Sequence, residues 1–241
     1  MEDQKADVAN FWEREACGER YGTDQDVIRY ALEPEILATA DFASGSDKRV
    51  LEIGVGMGAD LVRWALAGAE VTGIDLTHRA VAITRQRLSE RGLQGEVRQA
   101  DAEDLPFGDG SFDIVWSWGV LHHTPRADLA LVEATRVLRT GGRYAVMVYH
   151  RRSWLAFAAW VRWGLLRGRP VMSLSRAVAH VESPGTRAYT VAELRALLGP
   201  FLDQLQVRPV LTHWDRKVAP GIAAATGDRF GWFLVVEGFR R

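Results

Sequence analysis

LEIGVGMGAD, residues 51–60, sets an acid, Glu52, in a short apolar run and follows it with three glycines, Gly54, Gly56 and Gly58, each separated by one residue. The run RVLEI at 49–53 reads as a strand and the residues after Asp60 read as a helix, so the glycines occupy a strand-to-helix turn. Glycine lacks a Cβ and enters φ > 0 without strain, which lets the backbone turn sharply and lets a ligand lie against it. The spacing alone is a weak sign of a ligand, because a turn between strand and helix can require glycine for its own geometry.

Working outward, the same alternation repeats. EVTGID at 70–75 reads as a strand, Thr77 as a helix N-cap, and AVAITRQRL as a helix that ends near Gly92. EVRQA at 96–100 is a weaker strand, and FDIVWSW at 112–118 is apolar enough to be covered on both faces. The helical stretch LALVEATRVLRTGG ends with Gly141 and Gly142 where a C-cap and turn are wanted, and RYAVMVYH at 143–150 supplies a further strand. Strands alternating with helices predict a parallel sheet with crossover helices. Before this block, residues 1–45 read as helical, with Phe11, Trp12, Ile28, Leu32, Ile36 and Leu37 on an apolar face. After it, residues 151–182 form a Trp-rich, Arg-flanked helical stretch broken by SPG at 183–185. A helix at 190–199 has Thr190 and Glu193 in capping-box spacing, and strands are expected at 202–211 and 231–239. No internal repeat or low-complexity linker interrupts the chain, so one domain is expected.

Composition narrows the function. The 241 residues carry 30 basic against 31 acidic side chains, a net charge of -1, which supplies no bulk field to hold a phosphate backbone and argues against a nucleic-acid partner. Apolar residues make up 47%, which excludes a disordered chain. Cys17 is the single cysteine and can form neither an internal disulfide nor a multi-cysteine metal cluster, so no metal site is expected. The N-terminal MEDQKADVAN has no apolar signal region, and no run is long enough to span a membrane. A cytoplasmic protein is the expectation.

Two more acids give the glycine turn its meaning. Asp75 ends the second strand, 17 residues beyond Gly58, where a carboxylate can accept from both hydroxyls of a ribose, and Asp101-Ala102 follows the third strand. Glu52, Asp75 and Asp101 thus mark the C-terminal ends of three consecutive strands, the edge at which open α/β sheets bind ligands. Glu52 is awkward beside a pyrophosphate and suits a ligand that carries positive charge.

LEIGVGMGAD, GIDLT, DAEDLPFGDGSFDIVWSWGVLHHTP and EATRVLRTGG, in that order, resemble the motifs of class I S-adenosylmethionine-dependent methyltransferases, in particular the methyltransferase type 11 group. The resemblance covers residues 11–150 well and the C-terminal third more loosely. It implies a Rossmann-like, doubly wound, seven-stranded, mostly parallel sheet whose last strand runs antiparallel between the fifth and sixth. It implies the organisation 1–45 as an N-terminal helical cap, 46–150 as the cofactor-binding core, 151–189 as a helical insert and 190–241 as the C-terminal helix and strands. It implies S-adenosyl-L-methionine as cofactor, with Glu52 beneath the methionine part and Gly54, Gly56 and Gly58 close to it. Asp75 would take the ribose, Leu76 one face of adenine, Asp101 the adenine amino group with Ala102 beside it, and Ser117 and Trp118 the methionine amino group. Tyr21, Trp12 and Phe11 are expected to close the other side.

His122 and His123 follow the fourth strand. Adjacent histidines do not face one point on a regular element, so they are poor metal ligands. The resemblance places them beside the transferred methyl, where either is a candidate general base, and a plain packing role fits equally. Tyr149 and His150, at the end of the fifth strand, face the same edge. Trp154 and Trp160, on the insert, are expected to roof an acceptor pocket, with a subunit contact, ordinary core and a membrane surface as the other readings of that helix. The expected reaction is methyl transfer to a small-molecule acceptor with an apolar or ring-containing body, whose methylated atom stays open; a homodimer stays open as well. The rival readings are a protein of the same fold that binds the cofactor for a non-methylation or regulatory purpose, and an NAD-dependent oxidoreductase.

Overall fold

The structure, a computed structural model, describes residues 2–14, 25–183, 185–218 and 220–241, without the side chains of residues 2, 3, 25 and 222. Tyr21, Cys17 and Pro184 lie outside the described residues.

Seven strands form one sheet in the order β3-β2-β1-β4-β5-β7-β6. They are β1 (Arg49–Ile53), β2 (Glu70–Asp75), β3 (Glu96–Gln99), β4 (Phe112–Trp118), β5 (Leu138–Tyr149), β6 (Leu202–Val210) and β7 (Phe233–Arg240). The first five are parallel, and β7 runs antiparallel between β5 and β6, as expected. Side chains alternate across the sheet. Val50, Val71, Ile114 and Trp116 pack with α4 (Ala59–Leu66) and α5 (His78–Glu90) on one face, while Leu51, Ile53, Val115 and Val146 pack with α6 (Ala127–Arg136) and α9 (Val191–Leu198) on the other. Glu52 shares the period of Val50, so a carboxylate sits where the strand pattern would otherwise place a core residue.

Local signals explain the boundaries. Thr77 Oγ1 accepts from the Ala80 N–H at 3.3 Å and starts α5, and Thr190 and Glu193 form a reciprocal capping box at α9. One expected boundary is corrected. Helix α6 stops at Arg136 and the strand begins at Leu138, five residues before the expected start, because Gly141 and Gly142 form a bulge rather than a helix C-cap. Gly141 has φ 73°, and a Cβ on Gly142 would lie 2.8 Å from the Arg139 carbonyl oxygen.

The N-terminal helices are α1 (Glu2–Arg14), α2 (Gln25–Leu32) and α3 (Glu35–Ala40). Their apolar face differs from expectation: Ile36 is fully buried, but Phe11 and Leu37 remain 45% and 41% exposed, and Tyr30 enters the core instead. The insert contains α7 (Trp154–Trp163) and α8 (Leu174–Val178), and α10 (His213–Val218) and α11 (Pro220–Thr226) precede β7. Among the described residues no helix is long and apolar enough to cross a membrane.

Candidate functional site

A cleft opens at the C-terminal ends of β1, β2 and β4, under α1 and α2. Gly54, Gly56 and Gly58 adopt φ of 82°, 50° and 75°, so the turn requires residues without a Cβ. Packing fixes two of them independently of any ligand. A Cβ on Gly54 would meet Val120 Cγ2 at 2.3 Å, and one on Gly58 would meet Thr84 at 2.8 Å. Gly54 and Gly56 line the cleft; Gly58 does not.

Asp75 holds this turn to the start of α5. Its Oδ2 accepts from the Gly56 N–H at 3.1 Å, and Oδ1 accepts from the Thr77 N–H at 3.0 Å and the Thr77 hydroxyl at 2.8 Å. Burial raises its pKa, with those bonds pulling the other way. The Leu76 backbone also donates to this carboxylate, so Asp75 is anchored by the turn it holds and sits, with Leu76, on the cleft wall.

Glu52 lies at the floor and is 4% exposed, and its Oε2 has no hydrogen-bond partner among the described residues. Burial, followed by the neighbouring Asp60 and Asp75, pushes its pKa well above the usual carboxylate range, against the opposing charge of Arg29. Asp60 has the opposite fate. Burial disfavours its charge, but Arg29 Nη2 at 2.8 Å, the Tyr30 hydroxyl at 2.8 Å and Trp116 Nε1 at 3.1 Å outweigh it and hold the carboxyl below its ordinary value. Two carboxylates therefore share one buried neighbourhood, one fully paired and one not. The paired one ties α2 to α4, and Arg29 also lines the cleft.

At the other end, Asp101 Oδ1 accepts from the Glu103 N–H at 2.9 Å, and Lys5 of α1 pairs with both Asp101 and Glu103. Glu103 also accepts from Thr124 and from the Arg126 N–H and Nε at 2.8 and 2.9 Å. Although burial raises its pKa, these donors bring it down to about 2. Helix α1 is thereby fastened across the cleft, with Val8 and Trp12 facing in.

Of the expected site residues, Trp12, Glu52, Gly54, Gly56, Asp75, Leu76, Asp101, Ala102, Trp118 and His123 line this one cleft. Trp118 donates through Nε1 to Glu33 at 2.7 Å and stacks on Trp116. The others are turned elsewhere. Ser117 donates its hydroxyl to the Ile53 carbonyl at 2.9 Å and is fully buried. His150 Nδ1 lies 3.0 Å from the Gly231 carbonyl, and Tyr149 stacks on Trp232. Trp154 donates to Thr226 at 3.0 Å and packs on Phe230, while Trp160 stacks on Phe157. The insert thus packs against the segment before β7, and the expected roof of Trp154 and Trp160 does not cover the cleft.

The two histidines separate. His122 is fully buried between His123 and Tyr149, with ring centroids 4.1 and 4.0 Å away, and neither ring nitrogen has a partner among the described residues. Burial and then His123 keep its pKa well below the usual imidazole value. His123 reaches the cleft wall, edge-on to Trp12 at 5.6 Å, and burial lowers its pKa to about 4.

Lys5, Arg29, Asp60, Glu103 and His213 also belong to this site or its supports and were not anticipated from sequence. Asp60 and Glu103 stand inside the quoted motifs, so a readable signal existed for those two. Lys5, Arg29 and His213 come from segments without a motif.

Residues 51–146 match the family model described as a methyltransferase domain. The chain is similar to a phosphatidylethanolamine N-methyltransferase of Cereibacter sphaeroides, 36% identical over 116 residues, covering 47% of this chain and 57% of that protein. It is also similar to a 27-O-demethylrifamycin SV methyltransferase of Amycolatopsis mediterranei (strain S699), 40% identical over 101 residues, covering 41% and 37%. The chain therefore spans only about half the length of these curated relatives. A solved geranyl diphosphate C-methyltransferase from Streptomyces coelicolor A3(2), in complex with Mg2+, geranyl diphosphate and S-adenosyl-L-homocysteine, shares the fold. Its TM-score is 0.67 at 15% identity, over 99% of this chain and 98% of that one.

Proposed function

We propose that the chain transfers a methyl group from S-adenosylmethionine to a small, largely apolar acceptor, a reading supported by the match of residues 51–146 to the methyltransferase-domain family model. The observation that carries this reading is the unpartnered Oε2 of Glu52 at the floor of the cleft. A buried carboxylate without a donor is costly, and a cationic ligand supplies the missing partner. Both the ammonium and the sulfonium of the cofactor fit that requirement, whereas a pyrophosphate would meet like charge.

Glu52 and the backbone at Gly54 and Gly56 would take the methionine part, Asp75 the ribose, Leu76 the adenine face, and Asp101 with Ala102 the adenine edge. Arg29, on the same wall, is paired with Asp60 and keeps that neighbouring carboxylate charged and occupied. When bound, the cofactor supplies a methyl carbon already activated by positive sulfur: the acceptor's lone pair takes that carbon and the C–S electron pair returns to sulfur. The chain's tasks are to align the acceptor and exclude water. Val8, Trp12, Leu32, Trp118, Val120 and Leu121 give the cleft an apolar wall suited to both. The acceptors named for the two curated relatives, a phosphatidylethanolamine and a rifamycin, are also largely apolar bodies, which supports an acceptor of that character. His123, not His122, is the cleft-facing candidate for accepting a proton.

The test is release of S-adenosylhomocysteine by the full chain from S-adenosylmethionine, across a panel of apolar hydroxyl and amine compounds. Acceptor-dependent release that falls at least about tenfold in Asp75→Ala is expected, from the loss of a charge-assisted hydrogen-bond pair. Tight cofactor binding with no release for any acceptor would contradict methyl transfer and favour a non-methylating protein of the same fold.

A further inference from the structure

The Nδ1 edge of His123 is held by two hydroxyls from the loop between α8 and α9. Thr186 Oγ1 lies 2.7 Å and Ser183 Oγ 2.8 Å from Nδ1. The Thr186 hydroxyl also donates to the Ser183 carbonyl oxygen at 2.7 Å, beside the Thr186 N–H at 3.2 Å. With its one proton placed there, the Thr186 oxygen turns lone pairs towards His123. An unprotonated Nδ1 would set its own lone pair against them, whereas a protonated Nδ1 donates to them. The Ser183 hydroxyl, 3.2 Å from Thr186 Oγ1 and 2.8 Å from Nδ1, has one proton and two acceptor positions, so it is compatible with a protonated Nδ1, and the Thr186 oxygen is what selects it.

We infer that Ser183 and Thr186 are positioning residues that fix His123 as its Nδ1–H tautomer, so that Nε2 offers an unprotonated lone pair at the acceptor side of the cleft. The inference rests on the proposed methyl transfer and narrows its acceptor to one whose nucleophilic heteroatom carries a proton, such as a hydroxyl. In that reaction the heteroatom bonds to the methyl carbon, the C–S pair goes to sulfur, and the heteroatom's proton goes to Nε2. The charge balances: a sulfonium, a neutral ring and a neutral acceptor become a thioether, an imidazolium and a methylated product. Positive charge moves within the cleft rather than being created there. Burial keeps the resting ring neutral at pH 7, which leaves the lone pair available, and the imidazolium keeps its bond to Thr186 until the proton passes to water as product leaves.

The tautomer is read directly by ring-nitrogen NMR of the 15N-labelled full chain at pH 7, with His123 assigned by comparison with His123→Gln. The wild type is expected to show Nδ1 protonated and Nε2 unprotonated. Ser183→Ala/Thr186→Val should lose that single-tautomer signature, and Thr186→Ser should retain it. A wild-type His123 protonated on Nε2, or an unchanged signature in the double variant, would overturn the inference. Calorimetry with S-adenosylhomocysteine on the same proteins separates the two levels, since affinity should stay within about threefold across these variants if they touch only the ring. A wild type that shows the tautomer but binds no S-adenosylhomocysteine upholds the lock and overturns the methyl-transfer reading.

Discussion

His123 and Glu182 bring opposite pH dependences to one small region. Burial depresses the His123 pKa to about 4 against an ordinary 6.5, so the unfolded chain binds its proton more tightly than the folded one. Its contribution is present above about pH 6.5 and is lost as pH falls towards 4, on the order of 3 kcal/mol for a shift of that size. Glu182 is raised by burial to about 7, so its contribution is present below about pH 4.5 and is lost as pH rises through 7. Urea unfolding across pH 4 to 7 should therefore show that His123→Gln loses less stability on acidification than wild type, and that Glu182→Gln loses less on going to neutrality. Identical pH profiles for His123→Gln and wild type would mean that the ring titrates normally. At this scale the acids were legible because Glu52, Asp75 and Asp101 each end a strand beside a glycine or turn signal. Ser183 and Thr186 were not, since a pair of hydroxyls in a loop carries no pattern until the chain folds them against a histidine 60 residues away.

Between elements, one buried tie in the site is the pair that joins α2 to α4. Asp60 has a side chain 1% exposed and Arg29 one 25% exposed. Removing Arg29 leaves a buried carboxylate beside Glu52 with only Tyr30 and Trp116 as donors. Arg29→Ala should cost about 3 kcal/mol, the low end for breaking a buried pair because Arg29 keeps some access to water. Arg29→Ala/Asp60→Asn should recover much of that in the same denaturant titration; a double variant no more stable than the single one would show that the charge was not the cause. Element positions followed from periodicity, and the misread start of β5 shows its limit. A double glycine after a helical pattern serves equally as a cap or as a bulge, and what decides it is the close approach to Gly142 of the Arg139 carbonyl on the same strand and the Asp113 carbonyl on β4. The insert failed for a related reason: an aromatic helix announces burial but not against what, and Trp154 found Thr226 and Phe230 rather than the cleft.

Across the whole molecule, the parallel neighbours β1, β2 and β3 bring three acids at or just beyond their C-terminal ends to one edge, and α1 closes over them through Lys5, Val8 and Trp12. The sheet was legible because each strand carried its own apolar run and punctuation. The closure was not, because Lys5 is one charge on a polar helix and its partners lie 96 and 98 residues away. The central claim is that this enclosed cleft receives a cationic cofactor on Glu52. The direct measurement is titration calorimetry of the full chain with S-adenosylmethionine at several pH values from about 5 to 8, in buffers of different ionisation enthalpy, for wild type, Glu52→Gln and Asp75→Ala. Because burial raises the Glu52 pKa and a cation beside it lowers it again, binding should release a proton from Glu52 over the pH range in which it titrates. Wild type should bind with proton release, Glu52→Gln should lose that release, and Asp75→Ala should weaken binding by about 1 to 3 kcal/mol. Absence of binding by wild type, or equal affinity in wild type and a folded Asp75→Ala, would contradict the account.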